Sequence, residues 1–168
     1  MQEIYILRHG HAQNADNGLN DFDRALTEEG IEKINKLSLF FNGLDISLEF
    51  VLSSPYIRAK QTAEIFISNL ICKPTLKIVD FLSCGVSSKE ISRGLMEYSS
   101  SKNLLLVGHS PDLEIFLGKI IGAERVALKK GALAKVSFEN SIEMSGELEW
   151  LITPKLVNKF KLKNQVKF

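Results

Sequence analysis

The stretch "NLLLVGH", residues 103–109, decides the fold class that this chain can adopt. Apolar residues follow one another from Leu104 to Val107, without the alternation of polar and apolar side chains that a half-exposed strand shows. Such a run is typical of a strand buried on both faces, as in parallel sheets that helices cover. The stretch "PDLEIFLGKII" (111–121) follows it and predicts a helix. Residues 103–109 are therefore expected to lie inside a sheet with helices on both faces.

The rest of the chain alternates strand and helix patterns in the same way. Strands are predicted over 3–7, 48–54, 76–82, 132–139 and 146–153, and helices over 26–41, 55–70 and 88–99. Thr27 is predicted to cap the first helix, and Ser54 the second, with Pro55 at its first helical position. Gly94 is expected to weaken the third helix. The order predicts a mainly parallel sheet whose last two strands pair as an antiparallel hairpin at one edge.

Composition places the chain among ordinary globular proteins. It has 168 residues, 45% of them hydrophobic and 24% charged, with a net charge of +1. We expect a single domain over 1–157, followed by a basic tail over 158–168 that is interpreted as a solvated end. No apolar run approaches the roughly 20 residues of a membrane helix. Two cysteines without a C-x-x-C motif fit a reducing compartment, so we expect a cytoplasmic protein that binds neither nucleic acid nor membrane.

Cationic and ionisable side chains follow three of the predicted strands. Arg8 and His9 come after the first strand, Arg58 lies one turn beyond the second, and His109 follows 103–108. Ligands of such sheets bind outside the carboxyl ends of the strands, so these four side chains are expected to surround one site. Taken singly, each histidine could be a core residue, and Arg58 could be a surface residue paired with Glu64 or another acid. The convergence of all four favours a site.

The residue types suit phosphoryl chemistry. Two arginines and a helix N-terminus attract a dianion such as phosphate, and a guanidinium matches its geometry. A neutral imidazole can attack phosphorus, and water can then hydrolyse the phosphohistidine. The arginines, together with a protonated second histidine, would neutralise charge on the transferring oxygens, so no metal or other cofactor is expected.

Three motifs in order resemble the histidine phosphatase superfamily: "LRHG", "SSPYIRAKQTAE" and "VGHSP". The stretches "RHGHA", "LTEEG", "LSCG" and "WLITPKL" look more narrowly like its SixA-type phosphohistidine phosphatase branch. The resemblance implies a three-layer α/β/α sandwich of the phosphoglycerate-mutase type. It makes His9 the nucleophile and places Arg8, Arg58 and His109 around the phosphate. Asp80 stands near the position where many relatives carry an acidic glutamate, and is the candidate general acid.

The branch also implies a substrate. Its members act on protein phosphohistidine, so the expected partner is a phosphorylated protein such as the histidine phosphotransfer domain of a sensor kinase. Small phosphate esters are the alternative substrates, and a module that binds phosphate or a phosphopeptide without turnover is a further alternative. A mutase is disfavoured by the short connections, which leave little chain to shield a phosphoenzyme from water.

His11 raises a separate alternative. The H-x-H pair of His9 and His11, with a distant histidine and aspartate, could ligate zinc as in some barrel hydrolases. Such barrels need about 250 residues, and flanking arginines repel a cation. We expect instead that Gly10 lets the backbone turn at the end of the strand and leaves His11 on a loop at the rim of the site.

Overall fold

The strands form one mixed sheet, as predicted. The computed structural model describes residues 2–14, 18, 20–139 and 145–160. Within these residues the strands are β1 (Gln2–Arg8), β2 (Phe50–Ser53), β3 (Thr75–Ile78), β4 (Asn103–Gly108), β5 (Leu133–Phe138) and β6 (Glu147–Ile152). Their order is β3-β2-β4-β1-β5-β6, with β1 to β4 parallel and β5 antiparallel to both β1 and β6. This confirms a mainly parallel sheet with an antiparallel edge.

Helices connect the strands and cover the sheet. They are α1 (Glu28–Asn42), α2 (Ile57–Ser68), α3 (Ser88–Leu95), α4 (Asp112–Ile120) and a short α5 (Pro154–Val157) that the sequence pattern does not predict. Single 3-10 turns occur at Asp21–Asp23, Asp80–Leu82 and Met96–Tyr98. None of the helices that the structure describes has the length and apolar character needed to cross a membrane.

Strand β4 divides the core into two halves. Leu104 and Leu106 face the core on the side of α3 and α4, whereas Leu105 and Val107 face the side of α1, α2 and α5. All four side chains are completely buried. Because successive side chains of a strand point to opposite faces, a run of apolar residues supplies both halves at once. The result is the three-layer α/β/α sandwich.

The two predicted helix caps have different outcomes. Thr27 caps α1 by accepting a hydrogen bond from the backbone N–H of Gly30 at 3.1 Å, which confirms the prediction. The prediction for α2 is wrong, because this helix begins at Ile57 with Tyr56 as its N-cap and no side-chain cap. The Ser54 hydroxyl instead forms a hydrogen bond with the His109 ring.

The third strand and third helix are both shorter than predicted. Strand β3 ends at Ile78, so Asp80 begins a 3-10 turn instead of standing in a strand. Helix α3 ends at Leu95, although it passes through Gly94 without interruption. A Cβ at Gly94 would lie 2.2 Å from the Phe81 ring, so the glycine is needed for close packing.

The structure describes two of the five lysines that lie between residues 153 and 168. Lys155 lies in α5, and Lys159 follows it as an exposed residue. Lys161, Lys163 and Lys167 lie outside the described residues. The predicted division into a domain over 1–157 and a basic tail over 158–168 therefore stays a prediction.

Candidate active site

Two buried histidines meet at the carboxyl ends of the central strands. His9 directly follows β1, and His109 directly follows β4, its parallel neighbour. The backbone N–H of His9 donates to the Gly108 carbonyl oxygen at 3.0 Å, which extends the pairing of the two strands into the site. The ring centroids are 5.2 Å apart, and the residues are only 6% and 2% exposed. One small oxyanion can therefore contact both imidazoles.

The hydrogen bonding of His9 leaves one ring nitrogen free for attack. Its Nδ1 lies 2.7 Å from the carbonyl oxygen of Gly10. A carbonyl only accepts, so Nδ1 carries the hydrogen and Nε2 keeps its lone pair. Burial, followed by the charge of His109, lowers the pKa of His9 to about 3. His9 is therefore neutral near pH 7, which is the form required of a nucleophile.

His109 is hydrogen-bonded through its Nε2, whereas His9 is hydrogen-bonded through its Nδ1. Its Nε2 lies 2.8 Å from Oγ of Ser54, whereas its Nδ1 is buried without a partner among the described residues. Burial, followed by the charge of Arg58, lowers the pKa of His109 to about 3. His109 is thus neutral in these surroundings. The protonated second histidine expected from the sequence would require the charge of a bound dianion to raise this pKa again.

Arg58 is buried in the first turn of α2. It is only 4% exposed. Its Nη1 donates to the backbone oxygen of Asp21 at 2.5 Å, and its Nη2 donates to Oδ2 of the same residue at 2.9 Å. The guanidinium also lies 4.9 Å from the centroid of the Tyr56 ring. Arg58 therefore does have an acidic partner, but not Glu64, which instead pairs with Lys60 at 3.9 Å.

Arg8 reaches the site from the end of β1. Its Nη1 donates to the Leu128 carbonyl oxygen at 2.7 Å and lies 4.0 Å from Oε1 of Glu114. That carboxylate is also within 3.1 Å of Arg125. The positive charges of Arg8 and Arg58 both act to lower the pKa values of His9 and His109. The four side chains named from the sequence are therefore electrostatically one cluster.

Buried polar atoms without partners concentrate at this cluster. Four such side-chain atoms occur among the described residues, and three belong to residues at the ends of β1 and β4: Arg8 Nε, His109 Nδ1 and Ser110 Oγ. Buried polar groups nearly always find partners, so each exception calls for an explanation. All three can donate a hydrogen bond, which is what an oxyanion accepts.

Comparison with known proteins identifies the family. The family model of the histidine phosphatase superfamily, branch 1, matches residues 4–81. An uncharacterized protein of Picosynechococcus is 33% identical over 115 residues, which are 66% of this chain and 68% of that relative. The chain belongs to the histidine phosphatase superfamily. This confirms, at the level of the superfamily, the prediction of a phosphatase.

Two other similarities point to one branch of the histidine phosphatases. Phosphohistidine phosphatase SixA of Escherichia coli is 24% identical over 155 residues, which are 90% of this chain and 94% of that protein. The structure of SixA complexed with tungstate matches with a TM-score of 0.84 at 22% identity, covering 92% of this chain and 98% of that one. The structural match confirms the phosphoglycerate-mutase-like fold.

The candidate acid Asp80 makes no hydrogen bond or ion pair with either histidine among the described residues. It is exposed at the start of its 3-10 turn, and no described carboxylate is hydrogen-bonded or ion-paired to His9 or His109. Besides Glu114 beside Arg8, a second carboxylate reaches this histidine phosphatase site: Asp21, held by Arg58 and, at 2.7 Å, by Arg24. Burial acts to raise the pKa of Asp21, but the hydrogen bonds from Arg24 and Arg58 outweigh it and lower the pKa. Asp21 is therefore ionised and suited to holding arginines.

Sequence reasoning misses Asp21 and Ser54. Asp21 lies in the irregular connection between β1 and α1, where no periodic pattern shows which side chains fold back over α2. Ser54 is visible as a residue at a strand end, but the capping pattern assigns it to α2. Its contact with His109 depends on the pairing of β2 with β4, which no local pattern contains.

His11 lies outside the cluster, as expected. Its Nδ1 is 3.1 Å from Oγ1 of Thr27, and its backbone oxygen accepts from the Thr27 N–H at 3.0 Å, so it fastens the start of α1. Gly10 does not have a left-handed backbone. A Cβ there would lie 3.1 Å from the Ile34 side chain, so the glycine allows close packing against α1.

The zinc alternative finds no ligand set in the described part of the chain. Groups of three or more histidine, cysteine, aspartate or glutamate side chains placed to hold a metal ion are absent from these residues. The two histidines of the H-x-H pair serve different partners, the Gly10 carbonyl for His9 and the Thr27 hydroxyl for His11.

Proposed function

We propose that this chain is a metal-independent phosphatase that hydrolyses protein phosphohistidine through a phosphoryl group carried on His9. The observation that carries the proposal is the neutral His9 imidazole, whose Nε2 is unbonded beside a second imidazole and two arginines. Its similarity to SixA, whose name describes a phosphohistidine phosphatase, supports the same substrate class. The partner we propose is a phosphorylated protein such as a histidine phosphotransfer domain.

The first step transfers the phosphoryl group to the enzyme. Nε2 of His9 forms a bond to phosphorus while the bond between phosphorus and the substrate imidazole breaks, and the leaving imidazole keeps the electron pair. Arg8, Arg58 and His109 donate hydrogen bonds to the phosphoryl oxygens and offset their charge as it redistributes. The free donors at Arg8 Nε and His109 Nδ1 suit this task.

The second step regenerates the enzyme. A water oxygen bonds to phosphorus, the bond to Nε2 of His9 breaks, and inorganic phosphate leaves. The proton released by water is taken up by phosphate or solvent. His9 then returns to the neutral form that its burial favours.

The leaving group argues for phosphohistidine over phosphate esters. An alkoxide leaving group must be protonated by a well-placed acid. A phosphohistidine whose imidazole is protonated on the nitrogen that does not carry phosphorus instead releases a neutral imidazole. Asp80 has no hydrogen bond or ion pair with either histidine among the described residues, and Asp21 is ionised between two arginines. A substrate that brings its own proton therefore fits these residues better. Hydrolysis of small phosphate esters is the alternative activity.

The test compares two histidine variants on a labelled substrate. A histidine phosphotransfer domain carrying a radiolabelled phosphoryl group is mixed with wild-type protein, His9→Ala and the matched control His11→Ala, in excess EDTA. We expect wild type and His11→Ala to release phosphate, and His9→Ala to lose at least about 10³-fold of the rate. A quenched wild-type reaction is expected to show an acid-labile, base-stable phosphoryl group on His9.

Other outcomes would overturn parts of the proposal. Full turnover by His9→Ala would remove the nucleophile, and loss of wild-type turnover in EDTA would contradict metal independence. Faster hydrolysis of sugar phosphates than of the phosphohistidine protein would make the chain a small-molecule phosphatase. Tight binding of the phosphoprotein without turnover would make it a binding module.

A further inference from the structure

Ser54 occupies a fixed position between the second strand and the second histidine. It is completely buried, and its backbone N–H donates to the Val107 carbonyl oxygen at 3.0 Å. That bond continues the parallel pairing of β2 with β4, in which Ser53 lies opposite Val107. The Ser54 side chain is therefore held by the sheet, directly beside the residue that follows β4. Its Oγ lies 2.8 Å from Nε2 of His109.

Counting protons decides the direction of this hydrogen bond. The hydroxyl has one hydrogen and two lone pairs, and the backbone N–H of Tyr56 donates to one lone pair at 3.3 Å. If the hydroxyl donates to Nε2, a neutral His109 carries its own hydrogen on Nδ1, and Nδ1 is the one group left without a partner. If Nε2 donates instead, the buried hydroxyl hydrogen and the Nδ1 lone pair are both left unpaired. The first arrangement leaves fewer unsatisfied groups, which favours it.

A second contact holds the plane of the same ring. The Tyr56 ring meets His109 edge to face, with centroids 4.9 Å apart and planes at 65°. The Tyr56 ring also contacts the guanidinium of Arg58 and the ring of Phe22, each 4.9 Å from its centroid. The connection from β2 to α2 therefore sets both the rotation and the hydrogen-bonded nitrogen of His109.

We infer that Ser54 is a positioning residue, whose hydroxyl donates to Nε2 of His109 and so fixes the tautomer that presents Nδ1–H to a phosphoryl oxygen. The two histidines then carry opposite tautomers. His9 is bonded through Nδ1 and offers a lone pair at Nε2, whereas His109 is bonded through Nε2 and offers a hydrogen at Nδ1. The phosphoryl part of this inference rests on the proposed function, whereas the tautomer does not.

The tautomer can be read directly, because the chain contains only three histidines. Protein labelled with ¹⁵N-histidine is studied by NMR near pH 7.5, with His11→Gln and His9→Gln used to assign the signals. We expect the wild-type His109 signals to show a protonated Nδ1 and an unprotonated Nε2. In Ser54→Ala we expect a mixture of tautomers. The matched control is Ser53→Ala, since Ser53 is equally buried but its hydroxyl donates to the Ser54 carbonyl oxygen and not to His109, and it should keep the wild-type pattern.

Oxyanion binding and turnover test the consequence. With tungstate as the probe, we expect the dissociation constant to rise about tenfold in Ser54→Ala and to stay within twofold in Ser53→Ala. Turnover of the phosphohistidine protein should fall through kcat more than through KM. Ser54→Thr, which keeps the hydroxyl, should restore most of the tautomer and most of the tungstate affinity.

Two results would overturn the inference. One is a wild-type His109 protonated on Nε2, a measurement that needs no variant to fold. The other is a folded Ser54→Ala with unchanged tautomer and tungstate affinity. If the tautomer and tungstate results hold while the wild type shows no turnover, the positioning role of Ser54 stands and the proposed function fails.

Discussion

Arg58 shows how single residues hold a buried cation at this site. A cation in the first turn of a helix is disfavoured by the helix dipole, and burial adds a desolvation cost. Asp21 and the Tyr56 ring offset these costs. No described residue accepts a hydrogen bond from its Nε, so this donor remains available to a ligand near the helix start.

The first prediction concerns oxyanion affinity. We expect Arg58→Ala to weaken tungstate binding by about 10²-fold, since a charge-assisted hydrogen bond from a buried arginine is worth about 1.5–3 kcal/mol. Lys60→Ala, which removes an exposed cation from the same helix, should change the affinity less than twofold. Isothermal titration of both variants in phosphate-free buffer measures the difference. Equal losses in the two variants would mean that the anion binds elsewhere.

For single residues, the sequence predicts which cationic and ionisable side chains line the site better than it predicts which residues they contact. Arg8, His9, Arg58 and His109 were named from their places at strand ends, and the structure brings them together. Ser54 was assigned to a helix cap because local patterns cannot show that Oγ bonds across strands. Gly10 was assigned to a turn, whereas the structure shows it packed closely against the side chain of Ile34, 24 residues along the chain.

At the scale of elements, α1 is fixed by a close approach to the loop after β1. A Cβ at Gly30 would lie 2.2 Å from the His11 backbone oxygen, so the first turn of α1 packs directly against that segment. The same His11 backbone oxygen receives the N–H of Thr27, the N-cap of α1. The position of α1 and the course of the chain immediately after His9 are therefore coupled.

The second prediction tests this coupling. Alanine favours helix over glycine by about 1 kcal/mol, but the clash is with backbone, which cannot move aside freely. We therefore expect Gly30→Ala to lower the free energy of unfolding by about 2–3 kcal/mol. Gly43→Ala, at the other end of α1 with a right-handed backbone, is the control and should change it by less than about 0.5 kcal/mol. Urea denaturation measures both; an unchanged Gly30→Ala would show that the loop relaxes without cost.

Helices and strands were predicted well where the sequence pattern reflects burial, and their ends were predicted poorly where a turn begins or ends them. The run at β4 needs apolar side chains on both faces, so its pattern is unambiguous. Residues 79–82 are also mostly apolar, but they leave the sheet after Ile78 to form a turn whose Phe81 ring covers Gly94. Apolar character alone does not distinguish these two uses. The start of α2 was misplaced for a related reason, since Ser-Pro is compatible with both a cap and a bend.

For the whole molecule, two buried neutral histidines tie stability to pH. In the unfolded chain their pKa is near 6.5. In the folded chain burial lowers the pKa of each to about 3. Between these values the unfolded state binds more protons, so the stability they contribute is present above pH 6.5 and is lost as the pH falls towards 3.

The third prediction states how steeply the free energy of unfolding should depend on pH. In phosphate-free buffer between pH 6.5 and 5, the free energy of unfolding should fall with a contribution approaching about 1.4 kcal/mol per pH unit from each histidine. His9→Gln and His109→Gln should each lose one of the two contributions, whatever their absolute stability. Urea denaturation at several pH values measures the slopes. Variants that keep the full wild-type slope would contradict the assignment of the two buried groups.

The order of strands also constrains how the protein is made. Strand β1 is synthesised before the other five described strands, yet it lies between β4 at residues 103–108 and β5 at residues 133–138. A nascent chain therefore carries the apolar side chains of β1 without either neighbour until β4 has been synthesised, a situation in which aggregation and chaperone binding compete with folding. Translation products that end before residue 109 cannot assemble the histidine pair, so the two imidazoles come together only after β4 has been synthesised and has paired with β1.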